Sequence, residues 1–298
     1  MTFEYRICNS EFDNEIFTSD LIDIVSVGSE GCMYQIPDLE KIIEIRKKAE
    51  QYGKNFSFVL PKTPQKFFDE AVKLIEKLNK EGNNYTLILN DYGLLYYCKE
   101  NRLLPKNVNI GRGISRSFED CLWYEHILRN ETEFNKKTML QNNMYDEDKK
   151  QFLDEFKVNG IECNMLKNQS LSYSNLKRIG YNISVHYRYV SVAFSRACQT
   201  ARYKGRKCGE CSILCDKPLN ITMDKIWTRD TEMEANIQQI NKKIKEFNPQ
   251  FILSGNVLYR DNKKELTNMK LEFVDNLIFN SEFYKYSEVK EVLSHLKR

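Results

Sequence analysis

The sequence predicts an α/β fold, a closed (β/α)8 TIM-like barrel that is irregular or incomplete in places. Three observations lead to this prediction: strand-type apolar runs recur along the chain, a polar turn follows each run, and a segment of helical period commonly follows the turn. Strands that alternate with helices favour a parallel sheet, and 298 residues match the length of one such barrel. We therefore predict a single barrel domain over residues 1–298, with a cysteine-rich segment at residues 196–218 inside it.

The first part of the chain gives the clearest strand and helix pairs. In the segment 64–82, Phe68, Val72, Ile75 and Leu78 fall on one helical face, and Gly82 is a typical helix stop. The predicted strands are 23–31, 55–61, 84–93 and 107–113, and the predicted helices are 39–53, 64–82 and 96–101.

The second part of the chain continues the same alternation less regularly. Residues 131–150 are polar and form either an exposed insertion or an ordinary surface helix. The predicted strands are 160–166, 182–195, 223–229 and 249–259, and the predicted helices are 232–247 and the C-terminal segment 285–297.

Composition describes a folded protein without a strong charge. The chain has 41% hydrophobic and 29% charged residues with a formal net charge of +3, which is too small a charge to indicate a nucleic-acid protein by itself. The N-terminus lacks the pattern of an export signal, and no apolar run reaches about 18 residues. We therefore expect no membrane insertion and a cytoplasmic location, where the nine cysteines would be thiols or metal ligands.

Polar residues follow three of the predicted strands, at the barrel end where active sites are built. These are Glu30 and Cys32 in "GSEGC", Asn90 and Asp91 in "NDYG", and Arg112 in "GRG". An arginine between glycines suits a bidentate grip on a substrate carboxylate, although a structural ion pair explains Arg112 equally well. Asn90 and Asp91 either take part in the active site or form a helix cap or turn.

Four cysteines crowd into the segment "ACQTARYKGRKCGECSILCDKP". Cys198, Cys208, Cys211 and Cys215 make a local four-thiolate set, which suits zinc or an iron–sulfur cluster. The residues between them are mostly charged or glycine, so buried apolar thiols are a poor explanation. The cysteines in or beside apolar segments are predicted to be packed in the core instead: Cys8, Cys98, Cys121 and Cys163.

The stretch "YVSVAFSRACQTARYKGRKCGECSILC" is similar to a segment of the collagenase-like, formerly unclassified "U" type peptidase family. It resembles the branch with the ubiquinone-biosynthesis proteins UbiU and UbiV, and UbiV most. The residues that fit its S-x-x-C-x-T-A-R pattern and its C-x12-C-x3-C spacing are Ser195, Cys198, Thr200, Ala201, Arg202, Cys211 and Cys215. Gly28 and Cys32 fit the family's early Gly-x-x-x-Cys, and "NDYG" and "GRG" look like two of its turns.

This resemblance implies a 4Fe-4S cluster held by Cys32, Cys198, Cys211 and Cys215, with Cys208 as an extra thiol nearby. A local zinc site would instead use Cys198, Cys208, Cys211 and Cys215, without Cys32. The resemblance also implies oxygen-independent hydroxylation of a small molecule or biosynthetic intermediate, with prephenate as oxygen donor and a second family member as heterodimer partner. Hydroxylation of an RNA base, or a non-catalytic subunit that carries the cluster, are the alternatives.

Peptidase activity is disfavoured despite the family's description. The chain has only His126, His186 and His295, with no His-Glu-x-x-His motif and no nucleophile elbow. His186 either lines the cavity or is a satisfied core histidine. The candidates for substrate binding are Arg112, Arg202, Asp91 and His186, with Arg196 and Arg188 behind them.

Overall fold

Eight parallel strands form a closed barrel in the computed structural model, as the sequence predicts. The model describes residues 1–8, 12–207, 211, 215, 217–223, 234–268 and 271–296. Around the barrel the strands follow the order β1-β12-β7-β6-β5-β4-β3-β2. A separate four-stranded sheet has the order β8-β11-β10-β9.

The strands are β1 (Thr2–Ile7), β2 (Ile24–Gly28), β3 (Asn55–Leu60), β4 (Thr86–Leu89), β5 (Asn107–Ile110), β6 (Val158–Asn164), β7 (Asn182–His186), β8 (Tyr189–Phe194), β9 (Leu219–Thr222), β10 (Gln250–Ser254), β11 (Val257–Asp261) and β12 (Asn276–Asn280). The described helices are α1 (Glu15–Thr18), α2 (Leu39–Gln51), α3 (Phe68–Lys80), α4 (Tyr92–Glu100), α5 (Tyr124–Ile127), α6 (Glu133–Leu140), α7 (Glu147–Asp154), α8 (Ser170–Arg178), α9 (Gln199–Tyr203), α10 (Glu234–Phe247) and α11 (Tyr286–Leu296).

The strands that close the barrel, β1 and β12, are absent from the sequence prediction. They pair in parallel with each other, and β1 also pairs with β2. In β1 the side chains alternate: Tyr5 and Ile7 belong to the apolar core, whereas Glu4 and Arg6 join a buried polar network with β6. Polar residues inside the barrel make this strand resemble a loop in the sequence.

Two strands predicted as barrel members are wrong in their extent and placement. The predicted strand 182–195 divides into β7, which is in the barrel, and β8, which is not; the chain bends at Arg188, whose φ is +64°. The predicted strand 249–259 is the antiparallel hairpin of β10 and β11, which turns at Gly255 and Asn256. The domain is therefore a barrel with a second sheet inserted between β7 and β12.

The second sheet lies over the carboxyl ends of the barrel strands. Tyr259 in β11 donates a hydrogen bond to Glu30, 3.1 Å away, and the carbonyl of Tyr189 in β8 accepts one of 2.7 Å from Arg112. Beyond β11, Asn262 donates to the carbonyl of Met165 over 2.9 Å. The second sheet covers the mouth of the barrel, and side chains just after the barrel strands, such as Glu30 and Arg112, are therefore buried.

Most of the predicted helices are present. Val72, Ile75 and Leu78 on α3 are buried as expected, while Phe68 is only partly buried. The polar stretch 131–150 contains α6 and the start of α7, so it is a surface helical region. The predicted strand 223–229 lies outside the described residues except for Met223.

The predicted core cysteines behave largely as expected. Cys8, Cys98 and Cys163 are buried, whereas Cys121 is half-buried. In the part of the chain that the structure describes, no helix combines the length and the apolar composition needed to cross a membrane.

Candidate functional site

The loop after β2 brings Glu30 and Cys32 to the barrel mouth. Gly28 adopts a φ of +121°, and a Cβ there would lie 2.1 Å from the carbonyl oxygen of Val59, so only glycine allows this exit from the strand. The Ser29 hydroxyl accepts hydrogen bonds from the backbone N–H groups of Gly31 and Cys32 at 3.1 and 3.2 Å. The Ser29 hydroxyl thus fixes the turn, and the side chains of Glu30 and Cys32 are both buried.

The segment around Cys198 is fastened to the β10–β11 hairpin. The carbonyl oxygen of Gly255 accepts hydrogen bonds from the backbone N–H and the hydroxyl of Thr200, at 3.2 and 3.1 Å. Cys198 caps α9, and its sulfur accepts the N–H of Ala201 at 3.3 Å. Ser195 accepts the N–H of Ala197 at 3.1 Å. The residues of the S-x-x-C-x-T-A pattern therefore hold one cysteine in a defined position.

Four cysteines from distant parts of the chain lie within electrostatic range of one another. Burial, with smaller contributions from the thiols of Cys198 and Cys211, raises the pKa of Cys32 to about 11. Burial raises the pKa of Cys215 to about 12, with contributions from Cys32, Cys198 and Cys211. The side-chain amide of Gln35 donates to the Cys215 sulfur over 3.5 Å. Cys208 lies outside the described residues.

Four thiols are a donor set that suits either a zinc ion or an iron–sulfur cluster, and the two differ in the sulfur spacing that they need. Zinc with four thiolates at 2.3 Å requires sulfurs about 3.8 Å apart. Among the described residues, no three cysteine sulfurs lie within 4.8 Å of one another. Iron and sulfide ions stand between the thiolates of an iron–sulfur cluster, which requires a wider spacing. The N–H donors from Gln35 and Ala201 are of the kind that stabilise thiolate ligands in such clusters.

Arg112 forms a buried ion pair with Glu30. Its guanidinium is fully buried and donates to Glu30 at 2.5 to 2.9 Å and to the amide oxygen of Asn164 at 2.9 Å. The Arg112 guanidinium lowers the pKa of Glu30 against the opposing effect of burial. Of the two roles considered for Arg112, the structure shows the structural ion pair. Its hydrogen bonds to Glu30 and Asn164 use the N–H donors that a substrate carboxylate would need.

A second buried network fills the barrel interior. Arg6 donates to Glu4 at 2.7 Å and to both carboxylate oxygens of Glu162. His186 lies 3.0 Å from Glu162 and 3.3 Å from Asn280. Burial and the nearby charges of Arg112 and Arg6 hold the pKa of His186 well below its ordinary value. His186 is therefore a neutral, satisfied core histidine.

Glu30, Glu162 and His186 present ligand atoms within 4.8 Å of one another, the usual arrangement of a small metal site. Both carboxylates, however, are already bound by arginines, Glu30 by Arg112 and Glu162 by Arg6. Two positive charges at these distances oppose a divalent cation. We interpret this group as a structural ion network.

Asn90 and Asp91 have structural roles that the sequence analysis gave as alternatives. Asp91 caps α4, accepting the N–H of Leu94 at 3.1 Å. Asn90 accepts the N–H of Gly113 at 2.8 Å and donates to the carbonyl of Leu60. A Cβ on Gly111 would lie 2.3 Å from the Asn90 amide, so the "GRG" glycine makes room for Asn90.

The other arginines lie in different places. Arg196 lines a cleft of about 240 Å³ together with Cys32, Cys198 and Cys211. Arg202 is exposed and lines a different groove beside Tyr203. Arg188 pairs with Asp261 through two nitrogens. Of the predicted arginines, Arg196 is the one at the thiol group.

Several residues of this site were missed in the sequence. Glu4, Arg6 and Glu162 were hidden in strands, where the only signal was a charged residue at every second position of "TFEYRI". Glu282 follows β12, and burial raises its pKa to about 7. Lys62 follows β3 and faces the thiol cleft, a position that follows the same strand-end rule as Arg112.

Comparisons with known proteins find solved structures that are similar to this chain at low sequence identity. No family model and no curated protein matches the chain. Among solved structures, the U32 peptidase Mk0906 is similar over 96% of this chain and 94% of its own, with 10% identity and a TM-score of 0.39. HPPK-DHPS in complex with substrates is similar over 100% of this chain and 49% of its own, with 13% identity and a TM-score of 0.27. The first is a member of the collagenase-like family that the cysteine segment resembles, and neither score is high enough to support a functional argument.

Proposed function

We propose that this protein is a cytoplasmic UbiU/UbiV-like member of the collagenase-like peptidase family. In this proposal it carries a 4Fe-4S cluster on Cys32, Cys198, Cys211 and Cys215 and acts in oxygen-independent hydroxylation. One observation supports the cluster most: Cys32, from the loop after β2, lies in the electrostatic neighbourhood of three cysteines more than 160 positions later in the chain. The resemblance of the segment around Cys198 supports the reaction.

A cluster with four thiolate ligands leaves no iron open, so its chemistry would be electron transfer or the maintenance of the site. The protein's own residues exclude water and hold the ligands. Gln35 and Ala201 donate N–H groups to two of the sulfurs, and Gly255 anchors the helix that Cys198 caps. The cluster would then tie the loop after β2 to the segment after β8.

The substrate in this proposal is a small molecule or biosynthetic intermediate, with prephenate as oxygen donor and a second family member as partner. An RNA base is the second candidate, because Arg202 and Tyr203 are exposed in the basic run 202–207, and Tyr203 is 64% exposed. Proteolysis gains no support from the described residues, since His186 is buried against Glu162 and burial raises the pKa of Cys163 to about 12.

The cluster is tested by metal analysis of protein purified without oxygen. We expect brown protein with about four irons per chain. Cys32→Ser should lose most of the iron, whereas Cys208→Ser and the matched control Cys121→Ser should keep it. Stoichiometric zinc in colourless protein, or full iron after Cys32→Ser, would overturn the cluster assignment.

The reaction is tested separately from the cluster. Cells grown without oxygen, with and without the gene, are compared for hydroxylated metabolites and hydroxylated RNA bases. We expect a hydroxylated product to disappear with the gene and with the Cys32→Ser variant. Loss of an RNA modification alone would favour the second candidate, and an unchanged pattern in both pools would overturn hydroxylation.

A further inference from the structure

The cleft beside the thiol group is formed by three loops at the carboxyl end of the barrel. Lys62 and Lys66 come from the connection after β3, and Arg196 comes from the turn between β8 and α9. The floor includes Cys32, Cys198 and Cys211, and the volume is about 240 Å³. Three cationic side chains, two from one loop and one from another, therefore face one small space.

These cations are not neutralised by the protein. Within the described part of the chain, no carboxylate forms an ion pair with Lys62, Lys66 or Arg196. Asp91 attracts Lys62 but already accepts backbone N–H groups of Leu94 and Thr63 at 3.1 and 3.3 Å. Burial, followed by the charges of Arg116 and Arg196, lowers the pKa of Lys62. Lys62 therefore lies near other positive charges, which a bound anion would offset.

Aromatic rings hold the cations in place and give the cleft an apolar wall. The Lys66 ammonium lies 4.4 Å from the ring centre of Phe67 and 5.4 Å from that of Tyr34, and these two rings meet edge to face. The Lys62 ammonium lies 5.6 Å from the ring centre of Phe194. Such contacts orient ammonium groups without neutralising them.

We propose that this cleft binds a small organic anion, one whose carboxylate or phosphate meets Lys62, Lys66 and Arg196 while its apolar part lies on Tyr34 and Phe67. The site extends the proposed function by placing an anionic substrate next to the thiols. Only the reaction that follows binding depends on the proposed function. Binding itself depends on the positive charges of the protein, so it can be tested with or without iron.

The dimensions favour a small molecule over a nucleic-acid strand. A cleft of about 240 Å³ is near the lower limit of small-molecule sites. Single-stranded nucleic acid needs a groove that follows several phosphates, with aromatic side chains for successive bases. The exposed Arg202 and Tyr203 line a neighbouring groove that shares Asn256 with the cleft, and neither residue lines the cleft itself.

The experiment is calorimetric titration with three probes: phenylpyruvate, inorganic phosphate and a single-stranded RNA oligonucleotide. It is run on anaerobically prepared wild type, Lys62→Met, Arg196→Gln and the matched control Lys73→Gln, which changes an exposed lysine of α3 that does not line the cleft. We expect phenylpyruvate to bind more tightly than phosphate. Each cleft variant should weaken this binding about tenfold or more, as expected for the loss of one charge-assisted hydrogen bond, and Lys73→Gln should leave it unchanged.

Three results would overturn the inference. They are no phenylpyruvate binding by wild type, equal weakening in Lys73→Gln, and binding of the oligonucleotide alone. A change in the iron spectrum of the cleft variants without anion binding would likewise overturn it, because the cations would then serve only to balance the cluster's charge.

Measuring the iron content of the same wild-type sample that is titrated separates the two proposals. If wild type contains no iron but binds phenylpyruvate through Lys62, the anion site stands and the cluster fails. If wild type contains iron and binds no anion, the cluster assignment stands and the anion site fails. Thermal unfolding of each variant confirms that it is folded.

Discussion

Arg112 shows how a residue that looks like a substrate ligand in the sequence becomes part of the scaffold. It is 0% exposed and forms a salt bridge to Glu30, which is itself 5% exposed. Removing one partner of such a pair leaves an uncompensated buried charge, whereas removing both does not. This asymmetry distinguishes a scaffold residue from a substrate-binding residue.

We therefore expect Arg112→Met to lower the free energy of unfolding by about 3 to 5 kcal/mol. The double variant Arg112→Met/Glu30→Gln should recover part of this loss, because the buried negative charge is gone. Denaturant titration of the single and double variants measures both values. A single variant as stable as wild type would show that Arg112 is available to bind substrate.

Glu282 provides a pH-dependent prediction. It is partly buried, its pKa is raised by burial from 4.5 to about 7, and it accepts a hydrogen bond from Ser254. The folded state therefore binds this proton more tightly than the unfolded chain does. Its contribution is fully present below about pH 4.5 and is lost as the pH rises to 7, a change of about 3 kcal/mol.

Glu282→Gln should remove this part of the pH dependence. The measurement is the difference in unfolding free energy between wild type and Glu282→Gln at several pH values from 5 to 8, on iron-free protein. We expect wild type to lose stability relative to the variant as the pH rises. A constant difference between the two proteins would show that the Glu282 carboxyl titrates at its ordinary pKa.

At the scale of elements, α9 depends on the β10–β11 hairpin. Thr200 on α9 is buried and donates its hydroxyl to the Gly255 carbonyl at 3.1 Å. A five-residue helix has little stability of its own, so its position, and that of Cys198 at its cap, depends on this anchor.

Thr200→Val, which keeps the shape but removes the donor, should weaken the hold on Cys198. We expect iron to be lost several times faster during chelation by EDTA, while the overall unfolding free energy falls by only about 1 kcal/mol. Thr222→Val on the exposed strand β9 is the matched control. Equal rates of iron loss in both variants would contradict the anchoring role of Thr200.

Elements with a regular apolar period were predictable from the sequence, and those with polar interiors were not. The faces of α2 and α3 are marked by residues such as Ile42, Val72 and Ile75, which are buried. β1 was missed because the barrel interior at Glu4 and Arg6 is polar, and this reverses the pattern expected of a buried strand. The hairpin of β10 and β11 was read as one strand, since the turn at Gly255 is short and its flanks are equally apolar.

The candidate site was predictable where local spacing defines it. Cys198, Cys211 and Cys215 stand out within one segment, and Cys32 entered only through the family resemblance. The burial of Arg112 was not predictable, because it depends on a second sheet that the sequence analysis assigned to the barrel. The cleft combines the loops after β2, β3 and β8, and single-sequence spacing does not bring such loops together.

At the scale of the whole molecule, the second sheet covers the mouth of the barrel, so the accessible side chains lie outside the barrel interior. Arg6, Glu162 and His186 fill the interior with a closed network, and β8 and β11 cover the mouth. The remaining cleft lies between barrel loops and the inserted segment, where the thiols converge. The inserted segment is thus joined to the barrel at the site itself.

If the proposed cluster joins Cys32 to Cys198, removing its iron should loosen the insertion and leave the barrel unchanged. On chelation, amide hydrogen exchange should become about tenfold faster or more in residues 195–203 and 250–257, because the tie between Cys32 and Cys198 is lost. The strands β3 and β4, which pair with barrel neighbours on both sides, should keep their protection. Mass spectrometry of iron-loaded and chelated protein measures both regions in one experiment. Faster exchange in β3 and β4 to the same degree, or no change in the inserted segment, would mean that the thiols do not join the two parts of the molecule.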